Sequence, residues 1–102
     1  MVNAQASDNP TDFGPQDIII VAVKAPAMPS VAAGIAPLLG PETAVVPAMN
    51  GIPWWFFDGF PQNGPDISFP KLDPGGALSA AIATERVMGC VVHMGSMVPE
   101  PG

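Results

Sequence analysis

The chain has 102 residues, enough for one small domain and near the low end for a self-sufficient core. Apolar residues make up 48% and charged residues 12%, which excludes a charged disordered tail. Net charge is −6 and the only cations are Lys24, Lys71 and Arg86, so neither unassisted nucleic-acid binding nor a polybasic membrane site is expected.

Residues 1–16 are polar and turn-rich and read as irregular. Ile18–Val23 follows, six consecutive apolar residues that are mostly β-branched. The run predicts a strand buried on both faces, the habit of a parallel sheet. It stops at Lys24, far short of the ~20 residues a membrane-crossing helix needs. Pro26 and Pro29 mark a helix start, and Met28, Val31, Ala32, Ile35, Leu38 and Leu39 recur at helical spacing. Gly40-Pro41 ends that element, and Pro37 should loosen its last turn. A second strand is predicted over Thr43–Met49, running into Asn50-Gly51. Pro47 cannot donate to a ladder, so either the regular strand ends at Val46 or its neighbour is absent there. Ile52–Phe57 fits one or two helical turns with Pro53 at the first position. Residues 58–74 read as a long irregular excursion rich in Gly and Pro. A short Ala-rich helix is predicted over Gly76–Ala83, and Val87–Val98 reads as a third strand with a break near Gly95-Ser96. The order β-α-β-α-β is the grammar of an α/β sheet with right-handed crossovers.

Open parallel sheets bind ligands beyond the carboxyl ends of their strands. The first strand ends there in Lys24, a point charge with three donors. The second ends in Asn50, which offers donor and acceptor together. The plain alternatives are a solvated strand-end lysine and an ordinary Asn-Gly turn. Trp54-Trp55-Phe56-Phe57 reads first as a core contact and second as a wall for a flat ligand. His93, the only histidine, has no partner at ligand spacing, so no metal site is expected. Cys90, the only cysteine, reads as a small buried hydrophobe; with no disulfide to form, a reducing cytoplasm is the default. No basic stretch followed by an apolar run opens the sequence, so no secretory leader is expected. No Gly-x-Gly-x-x-Gly turn follows the first strand, so the usual cradle for a dinucleotide diphosphate is missing.

Three segments carry a family resemblance: Asp17–Ala25 with its terminal Lys24, Thr43–Phe56 with Asn50-Gly51 and the Trp pair, and Arg86–His93. In order and spacing they resemble ketopantoate reductase (2-dehydropantoate 2-reductase), over nearly the whole chain. The resemblance implies an NADPH-dependent oxidoreductase of the pantothenate-biosynthesis type, reducing a 2-oxo acid to the 2-hydroxy acid. It implies an α/β, partial Rossmann-like NADP-binding domain with a mostly parallel sheet, lacking the first βαβ unit. Residues 1–102 would form part of the family's N-terminal domain, with its helical C-terminal domain absent. Lys24, Asn50 and Gly95 would bind the cofactor, and Asn50 also the substrate. The family's catalytic Lys and its substrate-orienting Glu belong to the helical domain, so no catalytic residue is assigned here and the chain alone is expected to be inactive. The expected partners are a small 2-oxo acid and either a second copy or the missing domain of the same enzyme. Two other readings stand beside this one. The first is a non-catalytic binding or oligomerisation module that uses an exposed sheet edge and the Trp pair. The second is a related nicotinamide-dependent hydroxy-acid dehydrogenase with another substrate.

Overall fold

The structure, a computed structural model, describes residues 3–59, 69–95, 97 and 99–100. Its centre is a pair of parallel strands, β1 (Gln16–Val21) and β2 (Leu39–Pro47). Ile18 stands opposite Ala44, Ile19 opposite Val45, Ile20 opposite Val46 and Val21 opposite Pro47. β2 runs one residue past Val46 and sets Pro47 opposite Val21, where the sequence suggests an end at Val46 or no neighbour. As the last residue of the strand, Pro47 costs the ladder little by its missing N–H. Between Gln16 and Ile18 the register shifts, which leaves the backbone around Gly40–Thr43 out of step. Side chains make good the loss. The buried Thr43 hydroxyl donates to the Gln16 carbonyl at 2.5 Å and accepts the Gly40 N–H at 2.7 Å. Arg86 Nη1 donates to the Gly40 carbonyl at 2.8 Å and the Thr43 carbonyl at 3.3 Å.

Between the strands lie a 3-10 turn at Ala25–Ala27, helix α1 (Met28–Gly34) and a second 3-10 turn at Ala36–Leu38. The single helix expected over this stretch is thus divided, and Pro37 explains the division. It lacks the N–H an α-helix would use and clashes with the preceding turn. After β2 the aromatic segment forms turns instead of a helix, closed by Phe56 N–H to Pro53 C=O at 3.2 Å and Asp58 N–H to Trp55 C=O at 3.0 Å. Phe57 stacks on Phe69, with centroids 5.4 Å apart. Most of the excursion expected at 58–74 lies outside the described residues. Helix α2 (Ala77–Ala81) is shorter than the predicted Gly76–Ala83: at its start Gly75 and Gly76 hold left-handed backbone with φ of +67° and +72°, and at its end Ile82 is already extended. The Thr84 hydroxyl, just beyond α2, donates to the Asp58 carboxylate.

The predicted third strand is reduced to two parallel bridges on the other edge of β2, Val45 to Val87 and Ala48 to Cys90. Gly89, which lies between them, approaches Trp55 closely: a Cβ there would stand 3.2 Å from Cη2.

Both helices cover the same face of the sheet. Val21 and Val45 meet Met28, Ala32 and Ile35 from α1 and its exit, Leu78 and Ile82 from α2 and its exit, and Trp54. The opposite face is bare among the described residues, with Ile18 63% and Ile20 67% exposed. This corrects the expectation of a strand buried on both faces. An unbroken apolar run records that a strand is built for two covered faces, not that both are covered in this chain. No described helix is long and apolar enough to cross a membrane.

Two predictions follow the packing. Ile82 is fully buried, so Ile82→Ala should cost about 2–5 kcal/mol, while Ile20→Thr on the bare face should change stability by ~0.5 kcal/mol. Denaturant melts of the two variants check the contrast. The second concerns Asp73, whose carboxylate accepts the Leu78 N–H at 2.7 Å, the Ser79 N–H at 3.2 Å and the Ser79 hydroxyl at 2.7 Å. Partial burial pulls its pKa up, but the Ser79 hydroxyl and the two backbone donors outweigh this and hold it below the usual carboxylate range. A depressed folded-state pKa stabilises the protein above the unfolded pKa, and that contribution is lost as pH falls through the folded value. Asp73→Ala should therefore cost about 1 kcal/mol at pH 7, and the gap to wild type should close in acid. Melts from pH 7 down to pH 3 read it directly.

Candidate functional site

Strand direction decides what gathers at the carboxyl end of the sheet. β1 and β2 are parallel, so the residues that follow them emerge side by side. Lys24 is the exposed residue that leads into the 3-10 turn at Ala25–Ala27, and its carbonyl accepts the Ala27 N–H at 2.9 Å. Asn50 is exposed two residues after Ala48, whose N–H still bonds the Val21 carbonyl at 3.0 Å. Lys24, Ala25, Met49, Asn50 and Val92 line one open hollow of about 450 Å³. The two polar strand ends singled out in the sequence thus share one site.

A second hollow, of about 520 Å³, lies beside the first. Met49, Asn50, Trp54, Trp55, Cys90 and His93 are among the residues that line it. Its wall is largely aromatic and aliphatic. Trp54 is also part of the core, as the commoner reading of the aromatic block expected, and Trp55 packs partly against it. The indole N–H groups of both are buried without a hydrogen-bond partner among the described residues. Ala25, Met49, Asn50 and Val92 line both hollows and so form the wall between them.

The other sequence candidates fall around this pair of hollows. His93 is exposed and lines the second, off any regular strand. Cys90 is half-buried rather than fully enclosed, and bridges Ala48 just past the end of β2. Gly95 is exposed, lines neither hollow and has open space where a Cβ would stand. Among the described residues no three His, Cys, Asp or Glu side chains gather as a metal site would require.

One feature of the site had no counterpart in the sequence reading. The Asn50 side chain is bonded both ways to Val92: Nδ2 donates to the Val92 carbonyl and Oδ1 accepts the Val92 N–H, each at 2.9 Å. An amide has two donor hydrogens and about two acceptor lone pairs, so one of each remains for a ligand. The partner lies 42 residues away, at a distance no local pattern reports.

A parallel sheet backed by helices, with a lysine and an asparagine at the carboxyl ends of neighbouring strands, defines a partial Rossmann-like α/β unit. Comparison with known proteins makes the class specific. The model of the ketopantoate reductase PanE/ApbA family matches residues 1–53. The 2-dehydropantoate 2-reductase of Mesorhizobium japonicum is 38% identical over 104 residues, a match that covers the whole of this chain and 31% of that protein. The crystal structure of a candidate ketopantoate reductase from Ralstonia solanacearum MolK2 superposes with a TM-score of 0.78 at 54% identity, covering 89% of this chain and 28% of that one. The chain belongs to the ketopantoate reductase family of oxidoreductases and spans about a third of the length of these relatives.

Proposed function

We propose that the chain supplies the reacting end of the binding cleft in an NADPH-dependent oxidoreductase that reduces a 2-oxo acid, such as 2-dehydropantoate, to its 2-hydroxy acid. The observation that carries this reading is the shared hollow: Lys24 and Asn50 both line it where two parallel strands end, the position at which α/β sheets take their ligands. Reduction of the ketone requires a hydride at carbon and a proton at oxygen, and the nicotinamide supplies the hydride when bound. Lys24 sets a positive charge in the cleft, suited to a substrate carboxylate or a cofactor phosphate. Asn50 has one N–H and one lone pair left, suited to a hydroxyl on the substrate or the ribose. Gly95, with no side chain, leaves room beside the segment that carries His93. These residues fit the nicotinamide end of the cofactor and not its diphosphate, since Lys24-Ala25-Pro26 follows β1 where a glycine-rich turn would be needed. Residues 1–102 are read on this basis as part of the family's N-terminal domain, and the proton donor is assigned to no residue of this chain.

The reading is tested by grafting the chain in place of the matching segment of the Mesorhizobium 2-dehydropantoate 2-reductase. The hybrid should reduce 2-dehydropantoate with NADPH. Within it, Lys24→Ala and Asn50→Ala should each lower kcat/KM roughly ten- to a thousandfold, about 1.4–4 kcal/mol, the scale for one donor or charge at a reacting centre. Unchanged kcat/KM in both variants would remove the assignment.

A further inference from the structure

β2 and the segment after α2 keep one offset throughout. Val45 bridges Val87 and Ala48 bridges Cys90, each 42 residues on, and Asn50 meets Val92 at the same separation. Near the start of this pairing the bond is between backbones, Met88 N–H to Val45 C=O at 2.9 Å. At its end the bond is not between backbones. Pro47 closes β2, and Gly51 turns the chain away with φ of +107°. The backbone of β2 is no longer in position, yet Val92 still has an N–H and a C=O to satisfy. The Asn50 amide meets both at 2.9 Å, donor to acceptor and acceptor to donor, as a strand peptide would.

We infer that Asn50 is a positioning residue: its side-chain amide replaces a strand peptide and latches the segment carrying His93 and Gly95 in register with the end of β2. The latch also forms the wall between the two hollows, so it fixes the shape of both. Its purpose rests on the reductase reading, but the bond does not, and the test below reads the bond alone. Failure of the hybrid enzyme would leave the latch standing, and failure of the latch would leave the direct ligand contacts of Asn50 standing.

Amide hydrogen exchange, read by NMR on the whole chain at neutral pH, provides the test. In the wild type the Val92 N–H should be protected, along with one of the two Asn50 side-chain hydrogens. Asn50→Ala should speed exchange at Val92 about tenfold or more and leave the Met88 and Ala48 amides unchanged. Asn50→Asp keeps an acceptor for the Val92 N–H but turns the donor into a carboxylate oxygen that the Val92 carbonyl repels, so Val92 should exchange faster than in wild type yet clearly slower than in Asn50→Ala. That rescue distinguishes the latch from a general loosening of the fold. The titratable groups lining the two hollows beside this position are Lys24, Cys90 and His93. The inference is overturned if wild-type Val92 exchanges like a solvated amide, if Asn50→Ala leaves it unchanged, or if Asn50→Asp exchanges as fast as Asn50→Ala. If Asn50→Ala does not fold, the wild type and Asn50→Asp decide the question.

Discussion

The backbone of β2 is engaged along both edges, by β1 on one side and by the segment beginning at Val87 on the other. Val45 sits at that junction, fully buried, paired with Ile19 across one edge and Val87 across the other. A strand in this position sets the direction and register of everything hydrogen-bonded to it. Where its own backbone falls out of step near Gly40–Thr43, Thr43 and Arg86 satisfy the stranded groups. Where it stops at Pro47, Asn50 carries the pairing on through its side chain. The polar residues that matter to the site are thus placed by a mainly backbone constraint, and the same constraint puts Lys24 beside Asn50.

Much of this was legible in the sequence. The β-branched run at Ile18–Val23, the helical spacing from Met28 and the strand predicted over Thr43–Met49 each overlap an observed element, because each is a local pattern read against local sterics. β1 and β2 nonetheless begin and end two to four residues earlier than predicted. Pro37 announced its effect for the same reason, since a missing N–H acts where it stands, whereas Pro47 stays in β2 opposite Val21. That Lys24 and Asn50 line one hollow was legible because two strands with polar carboxyl ends imply their neighbourhood once the sheet is parallel. What escaped was non-local. The bare face of β1 depends on which side the helices choose, and both chose the Ile19–Val21 side. The third strand shrank to two bridges, which the apolar stretch after Arg86 does not foretell. The Asn50–Val92 pair spans 42 residues and has no sequence signature.

Membership of the ketopantoate reductase family and the geometry of the hollow agree with each other, yet they bear on different matters. The family establishes the kind of chemistry found among the relatives. The hollow concerns what this chain can offer to it: a charge, an amide with one free donor and one free acceptor, and an aromatic wall nearby. Parallel sheets are normally covered on both faces, and the described residues cover one, in a chain that spans 31% and 28% of two relatives. The reductase reading accordingly gives this chain one wall of the cleft and leaves the diphosphate cradle and the proton donor without residues here.

The central claim is that the carboxyl ends of β1 and β2 form the reacting end of a nicotinamide and 2-oxo-acid cleft. It is tested most directly by NMR titration of the whole chain with reduced nicotinamide mononucleotide, which lacks the adenosine phosphate half that this chain has no turn to hold. The account predicts saturable amide shifts, at millimolar ligand, concentrated at Lys24, Ala25, Met49, Asn50 and Val92. Shifts gathered elsewhere on the surface, or none at saturating ligand, would contradict it.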